Sequence, residues 1–290
     1  MGLRLKFNLV MLLVFAGGMG VSAWVSHSLL EDNAKQETLR SAGLMMESAL
    51  SVRGYTVKQV KPLLEPQLVE TFLPQTVPAY AATEIFGALR VKYPDFTYKE
   101  AALNPTNPRD RAVEWESDLI QKFRADPATN DLTGERETLT GRMLYMARPI
   151  TIKDATCLQC HSVPAAAPAS MTRIYGPNNG FGWQHMETIG AQVVSVPMSV
   201  PLAHAQRTFN TFMLSLGGIF VAVFVVLNLM LTWLIIGPIS RLSTVADRVS
   251  TGDFTEAEFP TRGGDEIGKL AASFNRMRRS LQKAIKLIDT

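Results

Sequence analysis

The only two cysteines of the chain stand three positions apart, and a histidine follows them at once in the run Cys157-Leu158-Gln159-Cys160-His161. A C-x-x-C-H run is the attachment signature of c-type haem. Two thiols at this spacing can each bond one porphyrin, and the next imidazole then lies under the iron. The motif predicts one covalently attached haem c, with Cys157 and Cys160 as its anchors and His161 as an axial iron ligand.

Two other kinds of site use paired cysteines. A zinc site needs four ligands, and the sequence has no second cysteine pair to supply them. A redox or structural disulfide is compatible with an oxidising compartment. Neither alternative requires a histidine directly after the second cysteine, so the pattern favours haem.

The sixth iron ligand is open at this level. With no third cysteine a thiolate is excluded, and His, Met, water or an empty position remain. Met45 and Met46 lie in a segment, residues 28–52, whose apolar spacing predicts a long helix. A Met on such a helix is more often core filler than ligand. Met146, in a predicted strand, and His185 are the other candidates.

Two apolar runs divide the chain, Phe7 to Trp24 and Phe209 to Ile236. At 1.5 Å per residue a helix of either run is roughly 27 Å long or more, which is enough to cross a bilayer. The first run also resembles a cleaved signal peptide, with a small-residue site at residues 21–23. Because a second span follows, we expect the first run to stay as an anchor.

The charges predict the orientation of these spans and argue against one class of partner. The formal net charge of +3 comes from a basic excess at the two ends of the chain, so no patch for nucleic acid is indicated. By the positive-inside rule both termini face the cytoplasm. The basic residues that carry this rule are Arg4, Lys6, Arg241, Arg248 and Arg262. Residues 27–208 are then exported, to the periplasm if the source is a bacterium with two membranes, and the spans lie in its inner membrane.

The exported segment is expected to be α+β. Apolar spacing predicts helices over residues 78–93 and 111–124. Alternation predicts strands over residues 142–152 and 190–196. Residues 162–182 are rich in Ala, Pro, Gly and Asn, which is typical of a loop.

Several stretches of this segment together resemble the c-type-haem, PAS-like sensory domain of bacterial receptors, over roughly residues 27–205. They are the haem motif, Arg53-Gly54-Tyr55-Thr56, Tyr93-Pro94, Asn104-Pro105-Thr106-Asn107-Pro108, Tyr145-Met146-Ala147-Arg148-Pro149-Ile150 and Gly190-Ala191-Gln192-Val193-Val194-Ser195-Val196-Pro197. The resemblance implies a small antiparallel sheet flanked by helices, with the haem under the loop that carries His161.

The resemblance also bears on ligands. It implies that a distal ligand comes from the long N-terminal helix, which favours Met46, with Met45 as the alternative, over His185. Some relatives use a cysteine from that helix, and this chain has none there. Arg53 and Arg148 are candidates to pair with the haem propionates, although an arginine is more often a solvated surface residue.

The segment after the second span has its own pattern. Beyond Pro238 a short apolar helix is expected, and Gly252-Asp253-Phe254 breaks it. From Asp265 onward, apolar residues at steps of three and four form an a/d seam typical of a coiled coil. The seam residues are Ile267, Leu270, Phe274, Met277, Leu281, Ala284 and Ile288. This arrangement resembles a HAMP domain, which implies a parallel four-helix bundle made by two chains and hence a homodimer. The alternative is an amphipathic hairpin on the membrane surface.

Together these patterns predict an α+β, PAS-like haem domain between two transmembrane helices, followed by an α-helical HAMP coiled-coil bundle. The expected bounds are residues 1–26, 27–208, 209–236 and 237–290. We expect a membrane-anchored haem sensor of redox state or of a diatomic gas, which relays its change to a separate cytoplasmic signalling protein. No catalytic motif is evident and no output domain follows the seam, so we do not expect an enzyme. The alternative function is a monohaem electron-transfer subunit attached to a membrane redox complex.

Overall fold

The computed structural model describes residues 2–139, 141–255, 257–260 and 264–288. It divides into two compact units, and each is taken by itself below. Residues 27–208 form one unit, and the two flanking segments form the other. Arg262, which entered the predicted orientation, lies outside the described residues.

Helices account for both ends of the chain and flank the strands between them. They are α1 (Leu3–Tyr55), α2 (Lys61–Leu64), α3 (Pro78–Arg90), α4 (Glu114–Ala125), α5 (Leu158–His161), α6 (Ala169–Tyr175), α7 (Ser199–Met230), α8 (Gly237–Ser250) and α9 (Glu266–Ile288). Two π-helical segments interrupt this series, Thr56–Val60 after α1 and Leu231–Ile236 after α7. Four short 3-10 segments complete it, Glu65–Val69, Pro74–Thr76, Pro108–Asp110 and Ala155–Cys157.

Four strands form one antiparallel sheet in the order β1-β4-β3-β2. Their bounds are β1 (Thr97–Ala102), β2 (Leu132–Thr138), β3 (Gly141–Thr151) and β4 (Thr188–Pro197). The small antiparallel sheet flanked by helices that the resemblance implied is confirmed, and so is the α+β class.

The two faces of this sheet bury different helices, because successive side chains of a strand point to opposite sides. One face, with Leu144 and Val194, packs on the small residues of α1 and on Phe86 of α3. The other face, with Ala147 and Val193, packs on α4. A third, smaller cluster forms at the end of the sheet where β1 and β3 finish, and it contains Cys157.

Strands β1 and β2 and the short helices α2, α5 and α6 were not predicted from the sequence. The edge strand β2 alternates between half-buried and exposed residues and is almost wholly polar, so it carries little hydrophobic signal. In β1 the alternation is broken by a buried carboxylate, Glu100. Residues 162–182, expected as a loop, contain the short helix α6.

Two helical stretches of the described chain, Leu3–Val69 and Ser199–Ser250, are long and apolar enough to cross a membrane by length and composition. Part of each belongs to the second unit. Within this unit the rings of Phe15 and Phe220 stack at a centroid distance of 4.8 Å.

After the second apolar stretch come helices α8 and α9, and we call residues 251–265 between them the connector; its described residues are in neither helix nor strand. Asn275 of α9 holds Phe259 of this connector with both ends of its amide, which accepts from the Phe259 N–H and donates to the Phe259 carbonyl. The two helices predicted from the sequence in this segment are confirmed.

Candidate functional site

The C-x-x-C-H run lies on one short helical stretch, formed by the 3-10 turn Ala155–Cys157 and helix α5. Asp154 begins the stretch, because its carboxylate accepts the Thr156 N–H at 2.8 Å. Both thiols are free and half-buried. The fold therefore presents Cys157, Cys160 and His161 from one turn of backbone.

The imidazole of His161 is held by a backbone carbonyl. Its Nδ1 lies 2.7 Å from the Gly180 carbonyl oxygen, and the Thr106 hydroxyl lies 3.5 Å from the same nitrogen. A carbonyl oxygen can only accept, so Nδ1 carries the proton and donates it. The lone pair of Nε2 is then left for another partner, which is the tautomer that a metal-ligating histidine uses.

Gly180 can hold this position only because it lacks a side chain. Its φ is +81°, in the left-handed region, and an added Cβ would lie 1.9 Å from the Thr106 hydroxyl oxygen. The Gly180 N–H donates to the Asn104 side chain at 3.3 Å. Asn104 also donates to the Phe181 carbonyl at 3.4 Å. The loop that follows β1 therefore fixes the carbonyl that orients His161.

Trp183 covers one face of the imidazole. The two rings stack with centroids 3.9 Å apart and planes 12° apart. The backbone N–H of Trp183 donates to the backbone carbonyl of His161. The indole also belongs to the third apolar cluster, next to Cys157 and Leu158. The side of the motif that faces this cluster is thus apolar.

Burial shapes the acid–base chemistry of the three motif residues. It is the largest cause that raises the pKa of both cysteine thiols above the ordinary value, and nearby Lys61 opposes the rise at each of them. Burial also lowers the pKa of His161, and the hydrogen bond to Gly180 opposes part of that lowering. A neutral imidazole is the form that binds a metal.

Arg53, a sequence candidate, lies close enough to this site for its charge to lower the pKa of Cys157 against the larger effect of burial. Its guanidinium is bound to the carboxylate of Glu100. The other oxygen of Glu100 accepts the Tyr98 hydroxyl at 2.7 Å, and Gln192 donates to that hydroxyl at 2.9 Å. Arg53 is thus fixed at the end of α1 by a buried polar group on the sheet.

Arg148, the other arginine candidate, has two carboxylate partners. Its guanidinium donates to Glu47 of α1 at 2.6 Å and to Asp131 at 2.5 Å. These contacts tie β3 to α1. The proposed contact of Arg148 with a propionate stays a prediction.

The structure does not group the candidate distal ligands with the motif. Met45 and Met46 are buried in the first apolar cluster, between α1 and the sheet, and Met146 packs against that cluster. Cys157 belongs to the third cluster. His185 is exposed and its Nε2 lies 3.2 Å from the Lys153 carbonyl. Each of these remains a prediction as a ligand.

These donors fit a haem. Both thiols are free, Cys157 packs against an apolar cluster, and the imidazole of His161 has the tautomer and the backbone acceptor expected of an axial ligand. Sequence reasoning missed three residues that make this fit, Thr106, Gly180 and Trp183. Gly180 lies in residues 162–182, whose composition indicated only a loop, and no signal in the sequence singled out Thr106 or Trp183 as neighbours of His161.

The fold and the site can now be set beside known proteins. The family model described as Tll0287-like matches residues 31–197, which is more than half of the chain. The chain belongs to the Tll0287-like family. A HAMP domain model matches residues 230–283, so this Tll0287-like protein also contains a HAMP domain. Both parts of the predicted resemblance are confirmed.

A solved structure and a search of curated proteins complete the comparison. The Tll0287-like chain is similar to the crystal structure of the cyanobacterial haem protein Tll0287, with a TM-score of 0.43 and 16% identity. The similarity covers 56% of this chain and 95% of that one. No curated protein matches the chain.

The HAMP domain and the two apolar helices also indicate the class of this Tll0287-like protein. HAMP domains relay signals in membrane receptors, and this one follows a helical stretch able to cross a membrane. The chain is therefore a membrane receptor of the HAMP type.

Proposed function

We propose that this protein is a membrane-anchored c-type haem sensor. One haem is bound covalently through Cys157 and Cys160, with His161 as an axial ligand to its iron. The signal is a change of redox state or the binding of a diatomic gas. The family match to Tll0287, whose crystal structure is that of a haem protein, supports haem as the cofactor.

One observation carries the proposal, the hydrogen bond of 2.7 Å from His161 Nδ1 to the Gly180 carbonyl. It leaves Nε2 unprotonated beside two free thiols. A surface histidine that follows a disulfide has no need of such a bond, whereas an axial ligand needs it to fix the ring and the tautomer.

The residues divide the work of the site. Haem, when bound, supplies an iron that can change its oxidation state or take up a small gas molecule. Cys157 and Cys160 anchor it, Gly180 and Trp183 orient the imidazole of His161, and the apolar cluster around Cys157 excludes water from that side.

The connectivity supports a relay from this site to the HAMP domain. Arg53, whose charge reaches Cys157, stands in the last turn of α1, and α1 is one unbroken helix back to Leu3. Strand β4 ends at Pro197, and α7 begins two residues later, at Ser199. A change at the site therefore has a short covalent route into both apolar helices.

We further propose that the sensory domain is periplasmic, that the HAMP domain is cytoplasmic, and that the receptor is a homodimer in a bacterial inner membrane. Several seam residues of α9, among them Leu270, Met277 and Leu281, are exposed in the single chain, which fits a bundle completed by a second copy. The HAMP domain then signals to a separate cytoplasmic partner, and the receptor itself is not an enzyme.

Covalent attachment is the first test. The full chain, produced in cells that mature c-type cytochromes, should keep its pigment after denaturation. Cys157→Ala and Cys160→Ala should each leave one thioether and an altered reduced spectrum, and the double variant should lose the pigment. Ser162→Ala, next to the motif, is the matched control and should keep the wild-type spectrum. A wild-type chain without covalent pigment would contradict the proposal.

A second test separates a sensor from an electron carrier. Spectra of the oxidised, reduced and carbon-monoxide-treated protein report whether the sixth position opens. Affinity purification of the full chain should bring down a signalling protein. A gas-inert iron together with a co-purifying redox complex would instead identify an electron-transfer subunit.

A further inference from the structure

We infer that Thr106, which lies outside the C-x-x-C-H motif, is a positioning residue for the iron ligand. Its hydroxyl serves as a second acceptor for His161 Nδ1–H and sets how strongly the imidazole donates electrons. This inference rests on the proposed haem function and deepens it.

The hydrogen-bond geometry assigns Thr106 this role. Nδ1 carries one proton, and the Gly180 carbonyl accepts it at 2.7 Å. The Thr106 hydroxyl lies 3.5 Å from the same nitrogen. Two oxygens therefore lie within 3.5 Å of the protonated Nδ1, a near carbonyl and a more distant hydroxyl.

The Thr106 hydroxyl lies in space that is free only because residue 180 is a glycine. Gly180 has no Cβ, and the Thr106 oxygen fills the space where one would stand, 1.9 Å from that ideal position. The same loop holds Gly180 and Phe181 through the Asn104 amide. Thr106 thus touches the nitrogen of the ligand and the residue that accepts its proton.

A metal-ligating histidine that gives more of its Nδ1 proton to an acceptor becomes a more basic ligand. A more basic imidazole favours the ferric state over the ferrous state. Removal of the hydroxyl should therefore shift the reduction potential of the bound haem to a more positive value, while the thioether bonds stay intact.

The test compares three variants in the full-length protein with haem attached. Thr106→Val keeps the shape of the side chain and removes the hydroxyl, and Thr106→Ser keeps the hydroxyl. Thr83→Val is the matched control, because the Thr83 hydroxyl bonds to Ala79 within its own helix α3. The readouts are the midpoint potential from spectroelectrochemistry, the haem content and the melting temperature.

We expect a more positive midpoint only in Thr106→Val. At the wild-type midpoint its ferrous to ferric ratio should be several-fold above one, and Thr106→Ser and Thr83→Val should stay near one. An unshifted Thr106→Val, or an equal shift in Thr106→Ser, would overturn the inference and leave the proposed function standing.

If Thr106→Val does not accumulate, Thr106→Ala replaces it, with the same expectation and the same contrary result against Thr106→Ser. A wild-type protein without covalent pigment would overturn the proposed function, and this inference with it. Failure of the proposed function is thus seen in the wild-type protein, and failure of this inference is seen in the Thr106 variants.

Discussion

At the scale of single residues, the site depends on the absence of a side chain at Gly180 as well as on the side chains of the motif. The motif supplies thiols and an imidazole, but it does not fix the direction in which the imidazole points. That direction comes from Gly180, 19 residues further along the chain, and from Thr106, 55 residues before His161. Sequence spacing predicted Cys157, Cys160 and His161 as a group, whereas contacts over such separations are set by the fold.

The lack of a Cβ at Gly180 has a measurable consequence. Gly180→Ala places a methyl group on the Thr106 oxygen and also strains a backbone with φ of +81°. Backbone strain alone should lower the free energy of unfolding by about 1–2 kcal/mol. We expect Gly180→Ala to lower it by more than this, and to lower the melting temperature of the purified protein accordingly. Gly182→Ala isolates the strain, because Gly182 has the same φ and nothing lies within 4 Å of an added Cβ. Equal losses in the two variants would contradict the steric role of Thr106.

A second residue-scale prediction concerns pH. Burial, only partly offset by Arg109, raises the pKa of Asp110 to about 6. The folded protein therefore binds a proton that the unfolded chain, with an ordinary carboxyl pKa, gives up between pH 4 and 6. As the pH falls from 7 to 5, this group alone should raise the free energy of unfolding by about 1 kcal/mol, whereas the lowered pKa of His161 acts in the opposite direction.

Chemical unfolding at pH 7 and pH 5 measures this effect. The change in unfolding free energy between pH 7 and pH 5 should differ between the wild type and Asp110→Asn by about this 1 kcal/mol. Asp118→Asn, at an exposed carboxylate on α4, serves as the control and should show the wild-type change. The same change in Asp110→Asn as in the wild type would contradict the role of Asp110.

At the scale of elements, α1 packs on the sheet through an apolar interface, but its last turn is joined to β1 by an ion pair, Arg53–Glu100, which we call the α1 joint. Helix α1 packs on the sheet through small residues and Met46, and its last turn meets β1 through the Arg53–Glu100 ion pair. The Glu100 side chain is only 4% exposed, and Tyr98 and Gln192 complete its hydrogen bonds. A charged residue buried in this way interrupts the alternation of a strand, which explains why β1 could not be predicted.

The cost of breaking this joint should be large. Glu100→Ala leaves the partly buried Arg53 charge without its partner, and removal of one member of a buried pair costs about 3–5 kcal/mol. Glu84→Ala breaks the exposed Glu84–Arg109 pair, which at 2.6 Å is also a close contact, and should cost less than about 1 kcal/mol.

Unfolding free energies of the wild type, Glu100→Ala, Arg53→Ala and the double variant give the coupling free energy of this pair by a mutant cycle, and Glu84→Ala is measured beside them. Similar losses for Glu100→Ala and Glu84→Ala would show that burial does not strengthen the α1 joint.

The elements that the sequence did predict share a simple reason. Helices α3 and α4 each place an apolar face against one layer of the core, and strands β3 and β4 are buried on both faces, so the apolar pattern of all four elements follows their burial. Strand β2 lies at the edge of the sheet, where half of its residues meet solvent and the other half are only partly covered. Because β2 lies at the edge of the sheet, its sequence lacks the apolar alternation by which a strand can be predicted.

At the scale of the whole molecule, the receptor joins a Tll0287-like domain to a HAMP domain, and two stretches of its helices are apolar enough to cross a membrane. The single chain leaves much of the α9 seam exposed, while Phe274 of the same seam is buried against Phe259 of the connector. Some positions of the predicted heptad thus hold the connector, and the exposed positions are the ones that the proposed dimer would cover. The side chain of Ile288 lies outside the described residues.

Cysteine cross-linking in membranes tests the proposed dimer. Leu281 is 42% exposed and occupies the seam, so Leu281→Cys should form disulfide-linked dimers readily, because the two copies of this position face each other in a parallel bundle. Lys283→Cys is equally exposed to oxidant on the same helix but lies off the seam, and it should cross-link far less. With both native thiols bound to haem, the introduced cysteine is the sole reactive thiol. Equal cross-linking at positions 281 and 283 would argue against the seam as the interface.

The π-helical segment Leu231–Ile236 stands immediately before α8. A π turn holds one residue more than an α turn, because each N–H bonds five positions back instead of four. If that surplus residue is drawn into α bonding, everything downstream turns by about 100°, the angular step of one residue in an α-helix. This conversion would turn the faces of α8 and α9 about the helix axis and advance them by about 1.5 Å, the rise of one residue, without breaking the helix.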